Sequence, residues 1–146
     1  MRILVLLCAL FYSGCQILGP DDPRTKGDTD YRAKWEAFQD GTYYYTLSRS
    51  CFCLPAGRIT VQVVEGKVTS ASYIDRADEI LQDQLVHIET IDAMFDLIDE
   101  RQGNSYVFEV EYSEWGYPTS ITLDGSEQIA DDELWLEVTD LHVGVR

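Results

Sequence analysis

The sequence predicts an α+β fold: an antiparallel meandering sheet of about five or six strands with two helices packed on it, in the order α-β-β-β-α-β-β-β. Three observations carry that expectation. Apolar residues in several segments between Thr42 and Val143 alternate with polar ones at a period of two, as half-buried strands require. Two segments, around Tyr31 and around Ile91, repeat instead at helical spacing. Turn signals, rather than βαβ crossovers, join most of the strands, which favours antiparallel pairing and helices on one face.

Each element has its own justification. Asp28 or Thr29 caps a first helix in which Tyr31, Trp35 and Phe38 share a face, and Gly41 stops it. From Thr42 to Cys53 the period becomes two. Tyr43, Tyr45, Leu47, Cys51 and Cys53 fall on one face there, with Arg49 as its single charged member. Pro55 and Gly57 break the chain, and Ile59, Val61 and Val63 then alternate with Arg58, Thr60 and Gln62. Glu65-Gly66 reads as a tight hairpin turn leading into Val68 to Ile74, because glycine takes positive φ without cost. After an acidic connector, Thr90 precedes an amphipathic helix that buries Ile91, Met94, Phe95 and Ile98 and turns Asp92, Asp96 and Asp99 away, with Gly103 at its end. Tyr106, Phe108, Val110 and Tyr112 alternate with Val107, Glu109 and Glu111. Trp115-Gly116 turns the chain, Ile121 and Leu123 share a face of the returning strand, and a last strand runs from about Glu133 to Val143.

Composition bounds the function. The chain has 146 residues, 26 of them acidic and 11 basic, for a formal net charge of −15. One domain is expected at this length. Nucleic acid is not an expected partner, since phosphate binding needs clustered Lys and Arg. Adsorption to anionic lipid through basic patches is disfavoured for the same reason.

The first fifteen residues carry an address. Met1-Arg2 is a short positive start, and Ile3 to Phe11 is apolar but too short for a membrane span, which takes about 20 residues. It fits the core of a secretory signal. Ser13-Gly14 before Cys15 resembles the lipobox of bacterial lipoproteins, in which cleavage leaves the cysteine acylated; Tyr12 departs from the usual aliphatic residue. Cys8 is a poorer candidate, because Leu7 is too large for the cleavage site. Residues 1–14 are therefore expected to be a signal peptide, and 15–27 a lipid anchor on Cys15 followed by a flexible tether rich in Pro and Gly. A single domain over 28–146 completes the division. The expected location is the cell envelope, at the outer membrane in a Gram-negative cell, where Gln16 fits a common sorting pattern. The membrane would be met through the anchor, and an envelope protein is the expected partner.

Cys51-Phe52-Cys53 is the most unusual feature of the folded part. With Cys15 lipidated and Cys8 removed, an intrachain disulfide would have to join Cys51 to Cys53, and an oxidising compartment favours that state. A fully extended strand holds such Cα atoms about 6.5–7 Å apart, so a twist or bulge is required, for instance where Leu54-Pro55 ends the strand. Two alternatives stay open: a soft-metal site on two thiolates, with only His87 and His142 to add imidazole, or a redox-active dithiol beside Arg49.

Other features point to chemistry more weakly. Asp124, Glu127, Asp131, Asp132 and Glu133 cluster around a loop without the EF-hand spacing, and a solvated loop is the plain reading. Asp140 and His142 stand two apart on a strand, with no accompanying nucleophile motif. His87 sits among Leu85, Val86 and Ile88 as a packed or surface residue. Tyr43, Tyr44, Tyr45 and Trp115 could leave some aromatic surface exposed, although filling a small core is the commoner role. No catalytic residue, cofactor site or metal site is assigned.

The chain resembles a family of bacterial lipoproteins known as domain of unknown function 6174, over nearly all of residues 31 to 133. The likeness rests on Trp35, Tyr43, Tyr45, Arg49-Ser50-Cys51-Phe52-Cys53, Glu65-Gly66-Lys67-Val68 and Thr90-Ile91-Asp92 with Phe95. It continues through Tyr112, Gly116-Tyr117-Pro118-Thr119 and Asp131-Asp132-Glu133. Ser113 stands where the family pattern favours Asp, which disfavours a carboxylate-dependent site at that turn. Met94 replaces a leucine, a volume-conserving core exchange. The resemblance implies an address and an architecture, with no activity attached. The sequence thus leads to a lipid-anchored, non-enzymatic binding module, with thiol redox or soft-metal handling through Cys51 and Cys53 as the alternative.

Overall fold

The computed structural model describes residues 23–129 and 132–144. Helix α1 (Pro23–Phe38) leads into strands β1 (Thr42–Ser50), β2 (Gly57–Val64) and β3 (Lys67–Tyr73). A 3-10 helix (Gln82–His87) and helix α2 (Ile91–Arg101) follow, and then β4 (Val107–Tyr112), β5 (Pro118–Asp124) and β6 (Leu134–Val143). The six strands form one antiparallel sheet in the order β3-β2-β1-β6-β5-β4. The fold is α+β, with the expected element order and one added 3-10 helix.

Two three-stranded meanders therefore meet through the first and last strands, which become the central pair. Leu47 sits opposite Ile59 on one side and Val138 on the other. The link between the meanders runs from one sheet edge to the other, so it must cross a face, and the 3-10 helix and α2 lie within that link. From the strands, Tyr43, Tyr45, Leu47, Ile59, Val61, Val63, Ile121, Leu123, Leu136 and Val138 are buried. They cluster with buried Trp35 of α1, Leu85 of the 3-10 helix, Ile88, and Ile91, Met94, Phe95 and Ile98 of α2. Burial on this scale, about 1.5–3 kcal/mol for each large apolar side chain, is what holds the helices to the sheet.

Local signals act as read from the sequence at several points. Glu65 (φ 52°) and Gly66 (φ 72°) are both left-handed, as a two-residue hairpin turn demands. Thr90 caps α2, its hydroxyl accepting from the Ala93 amide at 3.1 Å.

Three boundaries differ. Helix α1 begins at Pro23, ahead of Asp28 and Thr29, so Pro23–Gly27 belong to a helix and not to an extended tether. Proline suits a first helical position, where its missing N–H removes a donor that would have no intrahelical partner. Strand β1 ends at Ser50, before the cysteines. The acidic connector contains the 3-10 helix, which packs Leu85 into the core. Residues 1–22, with the expected signal peptide and Cys15, lie outside the described residues, as does Asp131. No helix among the described residues is long and apolar enough to cross a membrane.

Candidate functional site: the Cys51–Cys53 tip

Beyond Ser50 the chain leaves the sheet and bends through Cys51–Pro55 before β2 begins at Gly57. Giving up the strand pleat shortens the Cα–Cα separation of Cys51 and Cys53 to 5.2 Å, inside the disulfide range, and the two sulfurs are in bonding contact. The Leu54–Pro55 peptide is cis. Between the cysteines, Phe52 projects into solvent with 87% of its surface exposed, and Leu54 follows at 69%. Phe52 has the most exposed large apolar side chain among the described residues, and it stands beside a covalent clamp.

Arg49 fastens the base of this tip. Its guanidinium pairs with Glu89 at 3.0 Å and donates to the carbonyls of Pro55 at 3.3 Å and His87 at 2.6 Å. One side chain thereby joins the cysteine loop to the segment entering α2. Both partners are largely buried, and among the described residues Arg49 Nε and Glu89 Oε2 have no hydrogen-bond partner. Burial pushes the Glu89 carboxyl above its ordinary range, and the Arg49 charge pulls it part of the way back. The Arg49 charge is thus matched by Glu89, and none of its contacts is to a cysteine sulfur.

Beside the tip lies an open hollow of about 580 Å³, whose lining includes Phe52, Val107, Leu123, Trp135, Asp124 and Glu133. Trp135 stands opposite Ser50 in the β1–β6 ladder and opposite Thr122 in the β5–β6 ladder. It occupies the polar phase of β6 and is 38% exposed. Sequence reasoning missed Trp135 and Leu54 as surface features. The available signal was the phase of Trp135 within β6, out of step with buried Leu136 and Val138.

The other candidates fall to structural roles or stay apart. Trp35 donates its indole N–H to Asp92 at 3.1 Å and packs edge-on against Tyr43 and Tyr117. Arg32 of α1 reaches Asp96 and Asp99, so the acidic side of α2 receives α1. Tyr43 and Tyr45 are fully buried. The Tyr43 hydroxyl accepts from the Ile91 amide and that of Tyr45 donates to the Glu89 carbonyl, at the start of α2. Burial raises the titration of both phenols. Trp115 is half-exposed and stacks on Phe38. Met94 is fully buried, as a core exchange requires. Gly116 lies so close to α1 that a Cβ there would come within 2.3 Å of the Tyr31 carbonyl.

Asp140 sits with φ 51° where β6 bulges against β1, and His142 stacks on Tyr44 instead of engaging it. His142 lies opposite Tyr44, six residues along β1 from Ser50, and so about 20 Å from the cysteine end. The His87 side chain is exposed, its backbone carbonyl being the group that meets Arg49. In the acidic loop, Asp124 accepts from the Ser126 amide. Among the described residues, no group of three or more His, Cys, Asp and Glu is placed to hold a metal ion.

Compared with curated proteins and with solved structures, the chain shows no match. The pieces just located, from Trp35 through the cysteine tip to the Gly116 turn, fall within a stretch that does match a known family, running beyond residue 133 to the end of β6. Over residues 29–143 the chain matches the family of unknown function DUF6174, and it belongs to that family.

Proposed function

We propose that this chain is a lipid-anchored protein of the bacterial cell envelope, acylated on Cys15, whose domain is a non-enzymatic binding module. The observation that carries the binding role is the clamped tip with Phe52 87% exposed, next to Leu54 and a hollow walled by Trp135. Exposed aromatic anchors on a rigid support are favoured at protein interfaces, because little conformational entropy is lost when they are covered. The anchor reading is supported by the order of positive start, short apolar stretch and small residues before Cys15. Intact mass spectrometry of the protein extracted from its own membranes, with and without reductant, tests the address. The expected species starts at Cys15, carries acyl mass and lacks two hydrogens; an unmodified Cys15 overturns the anchor. Photo-crosslinking in intact cells from position 52 tests the binding role. One reproducible partner is expected there, and capture of abundant neighbours alone, equally from every position, overturns it.

A second reading has its own observation: Cys51 and Cys53 lie in a surface loop, within bonding distance of each other. Such a pair could exchange with an external dithiol. A three-residue loop restrains the unfolded chain little, so replacing both cysteines by Ser should cost only about 1.6 kcal/mol. Function abolished with the fold intact would favour this redox reading, whereas a reduction potential far below that of the compartment, with no bound metal, would exclude it.

A further inference from the structure

We infer that the hollow beside Phe52 receives an apolar side chain of a partner polypeptide flanked by Lys or Arg. The inference rests on the binding reading above and names the chemistry of the partner. Phe52, Val107, Leu123, Leu134 and Trp135 supply apolar wall, while Asp124 and Glu133 are the charged residues of the lining among the described residues. Among the described residues no cation pairs with either of them, although six other ion-pair contacts are made there. An apolar hollow edged by unmatched acidic groups is complementary to an apolar residue beside a basic one. A net charge of −15 opposes a second copy of the same chain at this site and opposes an anionic lipid surface. The Cys51–Cys53 link and the Arg49 contacts hold the wall in place, so binding need not first order the loop.

The test uses the full chain with its anchor, in detergent micelles, and three fluorescein-labelled heptapeptides centred on Lys-Phe-Lys, Glu-Phe-Glu and Lys-Ser-Lys. Fluorescence anisotropy should show the Lys-Phe-Lys peptide binding at least tenfold more tightly than the other two. The substitution Phe52→Ser, and separately the pair Asp124→Asn with Glu133→Gln, should each weaken it at least fivefold. Phe52 is too exposed to affect folding, and the asparagine keeps the oxygen that accepts from Ser126, so melting temperatures should be unchanged. Trp135→Thr is the second wall variant and should weaken binding in the same way. Equal binding of the three peptides, or binding indifferent to all the variants, overturns the inference. Concentration-dependent self-association abolished by Phe52→Ser overturns it in favour of a second copy. Should this test fail while crosslinks from position 52 still give one partner, the stated chemistry is wrong and the binding reading stands; if both fail, both are wrong.

Discussion

Arg49 shows what one residue does here. It was legible in the sequence as the single charge on an apolar strand face, and such a charge must find a partner when it is buried. Which partner could not be read, because Glu89 is 40 positions away and reaches Arg49 only across the sheet. The pair sets a pH-dependent prediction. Burial holds Glu89 above its unfolded value, so its protonation favours the folded state; that contribution is present below the unfolded value and is lost as pH rises through the folded one. Arg49→Met removes the offsetting charge and raises Glu89 further. The variant should be less stable by about 3 kcal/mol near neutral pH. The deficit should shrink as Glu89 takes up a proton toward about pH 4. Denaturant unfolding at both pH values measures it, and an equal deficit at both would contradict the assignment.

Among the elements, the close fit of α1 over the β4–β5 turn depends on a missing side chain. Gly116 has φ 96°, and a Cβ there would meet the Tyr31 carbonyl and come within 2.8 Å of the Trp35 amide nitrogen. Gly66 has φ 72° and open space around it. Gly116→Ala should therefore cost about 3 kcal/mol or more, by displacing α1 as well as straining the turn. Gly66→Ala should cost only about 1–2 kcal/mol, the left-handed penalty alone. Thermal unfolding followed by circular dichroism separates the two, and similar losses would show that α1 does not pack there as described. Both glycines were legible as turn residues. The pressure of a helix on one of them was not, since nothing local distinguishes the two sites.

For the whole molecule, the excess of acidic residues works against the compact state. Adding salt from about 10 mM to about 150 mM shortens the Debye length to about 8 Å and should screen that repulsion. A gain of about 1 kcal/mol, seen as a rise of a few degrees in melting temperature, is the expected size. A fall in melting temperature over the same range would mean that favourable pairs such as Arg32 with Asp96 and Asp99 outweigh the repulsion.

The sequence by itself determined which face of β1, β2, β4 and β5 is buried, where the hairpin turns and how α2 starts, because these depend on side-chain period and local backbone freedom. It also marked Cys51 and Cys53 as a pair. Only the tertiary structure decided that β1 and β6, the first and last strands, lie side by side. That choice rests on matching apolar surfaces far apart in the chain, which no local pattern records. The same pairing brings Trp135 opposite Ser50 and so builds the wall beside Phe52. The two halves of the candidate site are legible one at a time, and their meeting is a property of the sheet.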